Sequence, residues 1–276
     1  MGALDYNDIP LERIERNIKN EIRRFIIDNY RGHSYVRISS LPNVQGKFEA
    51  YSRKRLKVKN LSIEHLTNGL FVWSEVKGDF DCSNCAKLKS LEGAPKIVGG
   101  SFICSGCRTL TSLVGAPQNV NMDFNCSGCV NLTNLKGSPQ RVGNNLICND
   151  MRELKDLDGI PFNITGIICK FSSISSLNGS PEHLKGSMTC SGCYNLRSLK
   201  GAPTRIGGNF NCSKCGILVS LEGGPQSVDG YYDCSKCYHL STLKGAPIQL
   251  KGEFICEYCK NIKNHDQFSV DRSFKG

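Results

Sequence analysis

The segment VGGSFICSGCRTLTSLVGAP at residues 98–117 recurs as IGGNFNCSKCGILVSLEGGP at residues 206–225, with the same residue types at the same offsets. The first cysteines of successive units stand 22, 22, 22, 21, 21, 22, 22 and 22 residues apart, at Cys82, Cys104, Cys126, Cys148, Cys169, Cys190, Cys212, Cys234 and Cys256. A fixed period of this length is the sequence signature of a repeat array. The chain is therefore predicted to be a solenoid in which each unit forms one supersecondary element.

Within one unit, Phe102, Cys104, Cys107, Leu110 and Leu113 follow the pattern F-x-C-x-x-C-x-x-L-x-x-L. The first pair has the alternation of a β-strand. This pattern resembles the leucine-rich repeat consensus L-x-L-x-x-(N/C)-x-L over about residues 54–262, with one more residue before the next leucine. The resemblance implies an arc with one parallel β-sheet on its concave face. The recurring Gly-Ala-Pro stretch predicts an extended or 3-10 convex side, because glycine permits left-handed angles and proline fixes φ.

Two units lose the cysteine pair but keep the apolar pattern. The unit of Cys148 carries Met151 in place of the second cysteine, and the unit of Cys169 carries Ser172 there. Leucine and isoleucine remain at the neighbouring inward positions. This argues against a catalytic or metal requirement in every unit.

Residues 1–53 are interpreted as a cap that covers the exposed end of the solenoid. Asn7 or Asp8 can cap a helix with Pro10 in its first turn, and residues 35–51 alternate as strands do. The apolar face of that helix comprises Ile14, Ile18, Ile22, Phe25 and Ile26. Residues 54–262 form the solenoid, with a degenerate first repeat at 54–78 and then nine repeats, and 263–276 form a tail. In the degenerate repeat, Val58, Asn60, Ile63 and Leu66 are predicted at the positions of Phe80, Cys82, Cys85 and Leu88.

Seven C-x-x-C pairs raise the question of metal or redox chemistry, since such pairs can bind zinc, hold an iron–sulfur cluster or act as a dithiol. The repeat places these cysteines at inward positions, where small thiols pack well. Packing is therefore the preferred interpretation, with no metal and no cofactor expected, and a metal or redox function is kept as an alternative. Disulfides would require an oxidising compartment.

The chain carries 35 Lys and Arg against 25 Asp and Glu, a formal charge of +10. Residues 1–60 hold 13 of these cations against 7 acids. A basic cap segment is formed by Arg53, Lys54, Arg55, Lys57 and Lys59. It is either a solvated edge that discourages strand addition or a contact for an acidic partner, a nucleic acid or a nucleotide.

Outward strand positions of a solenoid form a continuous surface, so they are the candidate binding surface. On the predicted concave face they are Asp79, Asp81, Ile103, Asp123, Asn125, Ile147, Lys170, Thr189, Asn211, Tyr231, Asp233, Glu253 and Ile255. This surface is neutral to acidic, with Lys170 as its cation, which does not suit a nucleic-acid backbone. A protein-interaction module is therefore the leading hypothesis.

No phosphate loop, nucleophile elbow or zinc-protease signature occurs, so no enzyme activity is expected. The beginning of the chain lacks a signal-like apolar run, and no stretch reaches the length of a membrane span. A reducing, cytoplasmic location and no membrane partner are expected. The units look like those of leucine-rich proteins from bacteria, bacteriophages and large viruses, which implies an effector or inhibitor that acts on a partner protein. The last repeat also offers an edge for a homodimer.

Overall fold

The computed structural model describes residues 11–43, 45, 47–58, 62–161 and 163–262. Successive coils of the chain stack side by side and contribute strands to parallel sheets. One long helix precedes these coils. The prediction of a repeat solenoid with a parallel sheet and a helical N-terminal cap is confirmed.

The first row of strands forms an 11-stranded sheet, called here the long sheet. Ten of its strands come from the coils and pair in parallel, in the order β4 (Leu56–Val58), β6 (Phe80–Asp81), β8 (Phe102–Ile103), β10 (Phe124–Asn125), β12 (Asn145–Ile147), β13 (Gly166–Ile168), β15 (Met188–Thr189), β17 (Phe210–Asn211), β19 (Tyr232–Asp233) and β21 (Phe254–Ile255). The antiparallel strand β1 (Tyr30–Arg31) pairs with β4 and closes the N-terminal edge. Each inward residue of one coil thereby lies beside its equivalent in the next coil.

A second row of strands corrects the expectation of a single sheet. Six strands form one sheet, in the order β11 (Arg141–Val142), β9 (Asn119–Val120), β7 (Ile97–Val98), β5 (Phe71–Val76), β3 (Phe48–Ser52) and β2 (Val36–Ile38). Four more form another, in the order β14 (His183–Leu184), β16 (Arg205–Ile206), β18 (Ser227–Val228) and β20 (Gln249–Leu250). The two-residue strands from β7 onward arise because most Gly-x-Pro turns are followed by an extended segment whose backbone pairs with the segment of the next coil.

The core between the two rows is built from columns of equivalent side chains. Phe80, Phe102 and Phe124 are fully buried, and their rings stack with centroids 5.5 and 5.8 Å apart. The inward cysteines and leucines of the coils form parallel columns beside them. Burying such columns stabilises the stack, since each coil covers the apolar face of its neighbour.

The N-terminal cap consists of α1 (Leu11–Asn29), a 3-10 helix (His33–Tyr35) and the antiparallel pair β2 and β3. Ile22 and Ile26 of the predicted apolar helix face are buried. Tyr30 is buried at the end of the helix, where its hydroxyl donates a hydrogen bond to the carbonyl oxygen of Leu66 at 2.6 Å. The predicted helix-capping residues Asn7, Asp8 and Pro10 lie outside the described residues.

The predicted register of the degenerate first repeat is wrong by two residues at its strand. Leu56, not Val58, lies opposite Phe80, and Lys57 lies opposite Asp81. Leu56 and Val58 are both buried, since both face inward from the same strand. Because a strand repeats with a period of two, the apolar pattern alone did not distinguish the two registers.

Candidate interaction surface

The outer face of the long sheet aligns one side chain per coil, and this column is called the central row. Backbone pairing places these residues in register: Lys57, Asp81, Ile103, Asn125, Ile147, Ile168, Thr189, Asn211, Asp233 and Ile255. Nine of the ten are half-buried and Asp81 is buried. At about 4.8 Å per parallel strand, the row is roughly 43 Å long. The structure therefore places eight of the thirteen predicted surface residues in one row, together with Lys57 and Ile168.

A second column lies directly before the strands and includes the predicted residues Asp79, Asp123, Tyr231 and Glu253. Asp79 and Asp123 are half-buried, whereas Tyr231, Glu253 and the predicted Lys170, which follows β13, are exposed. Side chains of this column accept hydrogen bonds from the backbone of the next coil. Asp79 accepts from the Ser101 amide at 2.9 Å, and Asp123 accepts from the Asn145 amide at 3.0 Å.

Polar residues of the central row also bind the chain's own backbone. The carboxamide oxygens of Asn125 and Asn211 accept hydrogen bonds at 3.0 Å from the amides of Ser127 and Ser213. Asp233 does the same with the Ser235 amide at 2.9 Å. These side chains therefore stabilise the turn after each strand, whatever else they contact.

The basic cap segment meets the acidic end of the long sheet. Asp81 has a side chain only 5% exposed, and its Oδ2 lies 3.1 Å from both Arg55 Nη2 and Lys57 Nζ. Asp79 Oδ2 lies 3.9 Å from Arg55 Nε. Two predicted sites thus converge at the first coils and neutralise each other in part, which the linear sequence did not reveal.

The other basic cap residues are arranged differently. Lys54 Nζ lies 4.3 Å from the centroid of the Tyr35 ring, a cation–π contact. Arg53 is exposed. Lys59 lies outside the described residues. With Arg55, Lys57 and Lys54 engaged within the chain, nucleic-acid binding through this segment stays a prediction.

Asp81 gives the first coils a defined pH dependence. Burial alone would raise the pKa of Asp81, but hydrogen bonds from Ser83 and Lys57 and the charge of Lys57 outweigh it and hold the pKa below 3.8. A carboxyl whose pKa is lower in the folded state stabilises the fold above its unfolded pKa, and the contribution disappears as the pH falls through the folded pKa.

We therefore expect Asp81→Asn to lower the free energy of unfolding by about 1 kcal/mol at pH 7. Asparagine preserves the turn, since Asn125 makes the equivalent bond to Ser127, and only the charge is lost. Urea unfolding from pH 7 downward measures this, and the difference between wild type and variant should shrink as the pH falls below 3.8 and through the folded pKa. A difference that is independent of pH would contradict the assignment.

The cysteines form a ladder of hydrogen bonds as well as a packed column. All 16 are free thiols, and 15 are buried. The second cysteine of a coil donates its thiol to the carbonyl oxygen of the first cysteine one coil earlier, as Cys107 does to Cys82 at 3.2 Å and Cys193 to Cys169 at 3.0 Å. Ser172 takes the same role toward Cys148 O at 2.9 Å. The repeat pattern predicted the packing of these cysteines but not their hydrogen bonds.

The column of first cysteines is a poor environment for thiolate chemistry, whereas hydrogen bonds from neighbouring cysteines lower the pKa of the second cysteines Cys107 and Cys259. Burial raises the pKa of Cys82, Cys126 and Cys212 well above 9.0. Because the thiolate is the reactive and metal-binding form, these groups are inert near neutral pH. Across residues 11–43, 45, 47–58, 62–161 and 163–262, no group of three or more His, Cys, Asp or Glu is placed to hold a metal ion.

An aromatic edge, which the sequence analysis did not identify, borders the C-terminal half of the long sheet. It comprises Phe171, Tyr194, Tyr238 and Tyr258, with exposed fractions of 51%, 53%, 52% and 61%. Phe171 and Tyr258 stand in the turns between the two inward positions of a C-x-x-C unit or its equivalent. Consecutive turns are joined by backbone bonds, such as those from Phe171 N to Ser191 O at 3.0 Å and from Lys236 N to Glu257 O at 2.7 Å.

Phe171 and Tyr258 occupy an unfavourable backbone conformation. Their φ angles are +53° and +60°, in the left-handed region that bulky side chains rarely adopt. The same turn position has a positive φ in all nine cysteine-containing coils, and it holds Gly106, Gly128 and Gly192 in three of the others and Asn84, Asp150, Lys214 and Lys236 in the remaining four. A large exposed aromatic residue at such a position costs about 1–2 kcal/mol relative to glycine. Strained residues of this kind cluster at functional sites. An aromatic residue two positions after the first cysteine of a unit was the sequence signal that could have identified Phe171 and Tyr258.

The fold and this surface define a class, a β-solenoid repeat protein with a polar sheet face and an aromatic edge. No family model, no curated protein and no solved structure matches the chain. The resemblance to leucine-rich repeats therefore rests on the repeat motif alone. None of the helices among the described residues is long and apolar enough to cross a membrane.

Proposed function

We propose that the chain is a protein-binding module rather than an enzyme, and that its partner docks on the C-terminal half of the long sheet and the adjoining aromatic edge. The observation that carries the proposal is the pair of exposed aromatic residues, Phe171 and Tyr258, held at positive φ. These two side chains are 51% and 61% exposed, so at least half of each ring is available to a partner. Tyrosine and other aromatic residues are enriched at the centres of protein interfaces.

The neighbouring surface suits a protein partner. Half-buried Ile168 and Ile255 lie on the central row beside the aromatic edge, and Asp233 and Glu253 add negative charge. The edge itself carries cations, and Lys236 Nζ lies 5.6 Å from the centroid of the Tyr258 ring. Apolar and aromatic residues with a polar, solvent-accessible rim are the usual anatomy of a protein interface. A partner protein with its own mixed charge would fit here, in keeping with an effector or inhibitor role.

The test uses glycine substitutions that keep the turn and remove the aromatic ring. Phe171→Gly and Tyr258→Gly are combined in one bait, and Asn84→Gly, at φ +58° in the same turn position of an early coil, is the matched control. Crosslinking and affinity capture from cells of the producing organism should recover a protein with wild type and with the control. The double variant should lose it at least tenfold.

The same experiment separates the alternatives. Circular dichroism and thermal unfolding establish that the double variant is folded, which the glycines of other coils lead us to expect. A partner retained equally by all three baits would refute the proposed surface. Loss of capture on nuclease treatment would instead favour nucleic-acid binding.

A further inference from the structure

The second row of strands is interrupted in the middle of the solenoid. The described residues of the coil at 160–165 contribute no strand to this row, so that one sheet ends at β11 and the next begins at β14. Three residues separate Val142 from the next inward residue, Leu146, whereas two separate Ile164 from Ile167. The backbone pairing of this coil therefore differs from that of the coil before it. The Thr165 amide donates to Asn144 O at 2.8 Å, whereas the Gly143 amide of the preceding coil donates to Val120 O at 2.9 Å.

A pocket of about 630 Å³ opens at this interruption. Its polar lining includes the side chains of Arg141, His183 and Lys185 and the carboxamides of Asn119, Asn121 and Asn163. None of the residues that line it is acidic. Pockets that bind small molecules are typically about 300–1,000 Å³ in volume, so the space suits a ligand of nucleotide size.

The cations of this pocket are available to a ligand. Arg141 and Lys185 are exposed, and among the described residues neither forms an ion pair. His183 Nε2 lies 4.0 Å from Glu182 Oε1, and its Nδ1 lies 3.4 Å from Thr204 Oγ1. Elsewhere on the same row Lys251 is paired with Asp229 at 3.2 Å. Arg141 and Lys185, unlike Lys251, have no acidic partner that competes with a ligand among the described residues.

We propose that this pocket binds a small molecule that carries a phosphate group. Arginine and lysine provide charge-assisted hydrogen bonds to phosphate oxygens. The three asparagines supply both donors and acceptors for the polar remainder of the ligand. The site lies on the second row of strands, away from the aromatic edge, and it does not depend on the proposed protein-binding function.

Isothermal titration calorimetry at low ionic strength tests the site with adenosine triphosphate, pyrophosphate, inorganic phosphate and adenosine as probes. We expect the triphosphate to bind, adenosine to show no binding, and added salt to weaken the affinity. Stronger binding of pyrophosphate than of the triphosphate would still support a phosphate site, and would identify the phosphates rather than the nucleoside as the recognised group. Arg141→Gln combined with Lys185→Gln should weaken binding at least tenfold.

Arg197→Gln serves as the matched control, because Arg197 is exposed and is absent from the pocket lining. It should leave the affinity unchanged. The proposal is overturned if none of the phosphate-bearing probes binds, if adenosine binds as tightly as the triphosphate, or if the double variant binds like wild type. Binding of a single-stranded oligonucleotide without binding of any small probe would also overturn it. Unfolding curves of both variants confirm that the solenoid is intact.

Discussion

Replacing Gly115 with alanine should lower the free energy of unfolding by about 3–5 kcal/mol. Gly115 has φ +87°, in the left-handed region that disfavours any side chain. A Cβ atom there would lie 2.4 Å from the backbone nitrogen of Glu92 and 2.6 Å from the carbonyl carbon of Leu91. Both are backbone atoms of the preceding coil, so they cannot move without displacing the stack.

Alanine substitutions at two further glycines separate the cost of backbone strain from the cost of close contact between coils. Gly69 has φ +82° and nothing within 4 Å of a built Cβ, so Gly69→Ala should cost only the conformational term, about 1–2 kcal/mol. Gly216 has neither positive φ nor a close neighbour, and Gly216→Ala should change the free energy by about 0.5 kcal/mol or less. Urea unfolding of the three variants measures the series. Equal losses for Gly115→Ala and Gly69→Ala would show that coil contact contributes nothing.

The repeat period was sufficient to predict the solenoid, because spacing and residue type agree in most coils and the apolar pattern persists in the two that lose a cysteine. It did not predict the second row of strands. The pair Ile97 and Val98 lies in a segment too short to show a strand pattern of its own. Only the stacking of coils, which aligns Ile97 with Asn119, turns this segment into a strand. The pairing is a property of neighbouring coils rather than of one unit.

The sequence pattern predicted where the residues of the candidate surface lie, but not which contacts their side chains make. Alternation about Phe124 and Cys126 correctly placed Asn125 on the outer face. That Asn125 then binds the amide of Ser127 depends on the turn geometry after the strand. The neutralisation of Asp81 by Arg55 depends on the correct register of the first coil, in which the sequence pattern was ambiguous.

The aromatic edge and the pocket were both missed because they arise from departures from the repeat. Phe171 stands at a turn position that other coils fill with glycine, asparagine, aspartate or lysine, and the pocket lies where two residues instead of three separate the inward residues Ile164 and Ile167. A consensus describes what the units share, and it therefore hides such positions. In a solenoid, residues that break the local rule without a packing benefit are the first candidates for function.

Substitutions of Cys129 test whether the thiol ladder stabilises the fold through hydrogen bonding as well as packing. Its Sγ donates to the carbonyl oxygen of Cys104 at 3.2 Å, and both residues are fully buried. Cys129→Ala removes the donor and leaves a small cavity, so we expect it to lower the free energy of unfolding by about 2–3 kcal/mol. Cys129→Ser keeps a donor, as Ser172 shows in its own coil, and should cost about 1 kcal/mol.

Cys126→Ser is the matched comparison for this prediction. Cys126 belongs to the first-cysteine column, where none of the nine units has serine, and a hydroxyl buried there should cost more than the one at position 129. Urea unfolding in the presence of a reductant ranks the three variants. If Cys129→Ser and Cys129→Ala are equally destabilising, the thiols stabilise the coils through packing alone. If Cys129→Ser lowers the free energy of unfolding least of the three, the second cysteine of each coil acts as a small, buried hydrogen-bond donor. The C-x-x-C spacing then follows from the geometry of stacked coils.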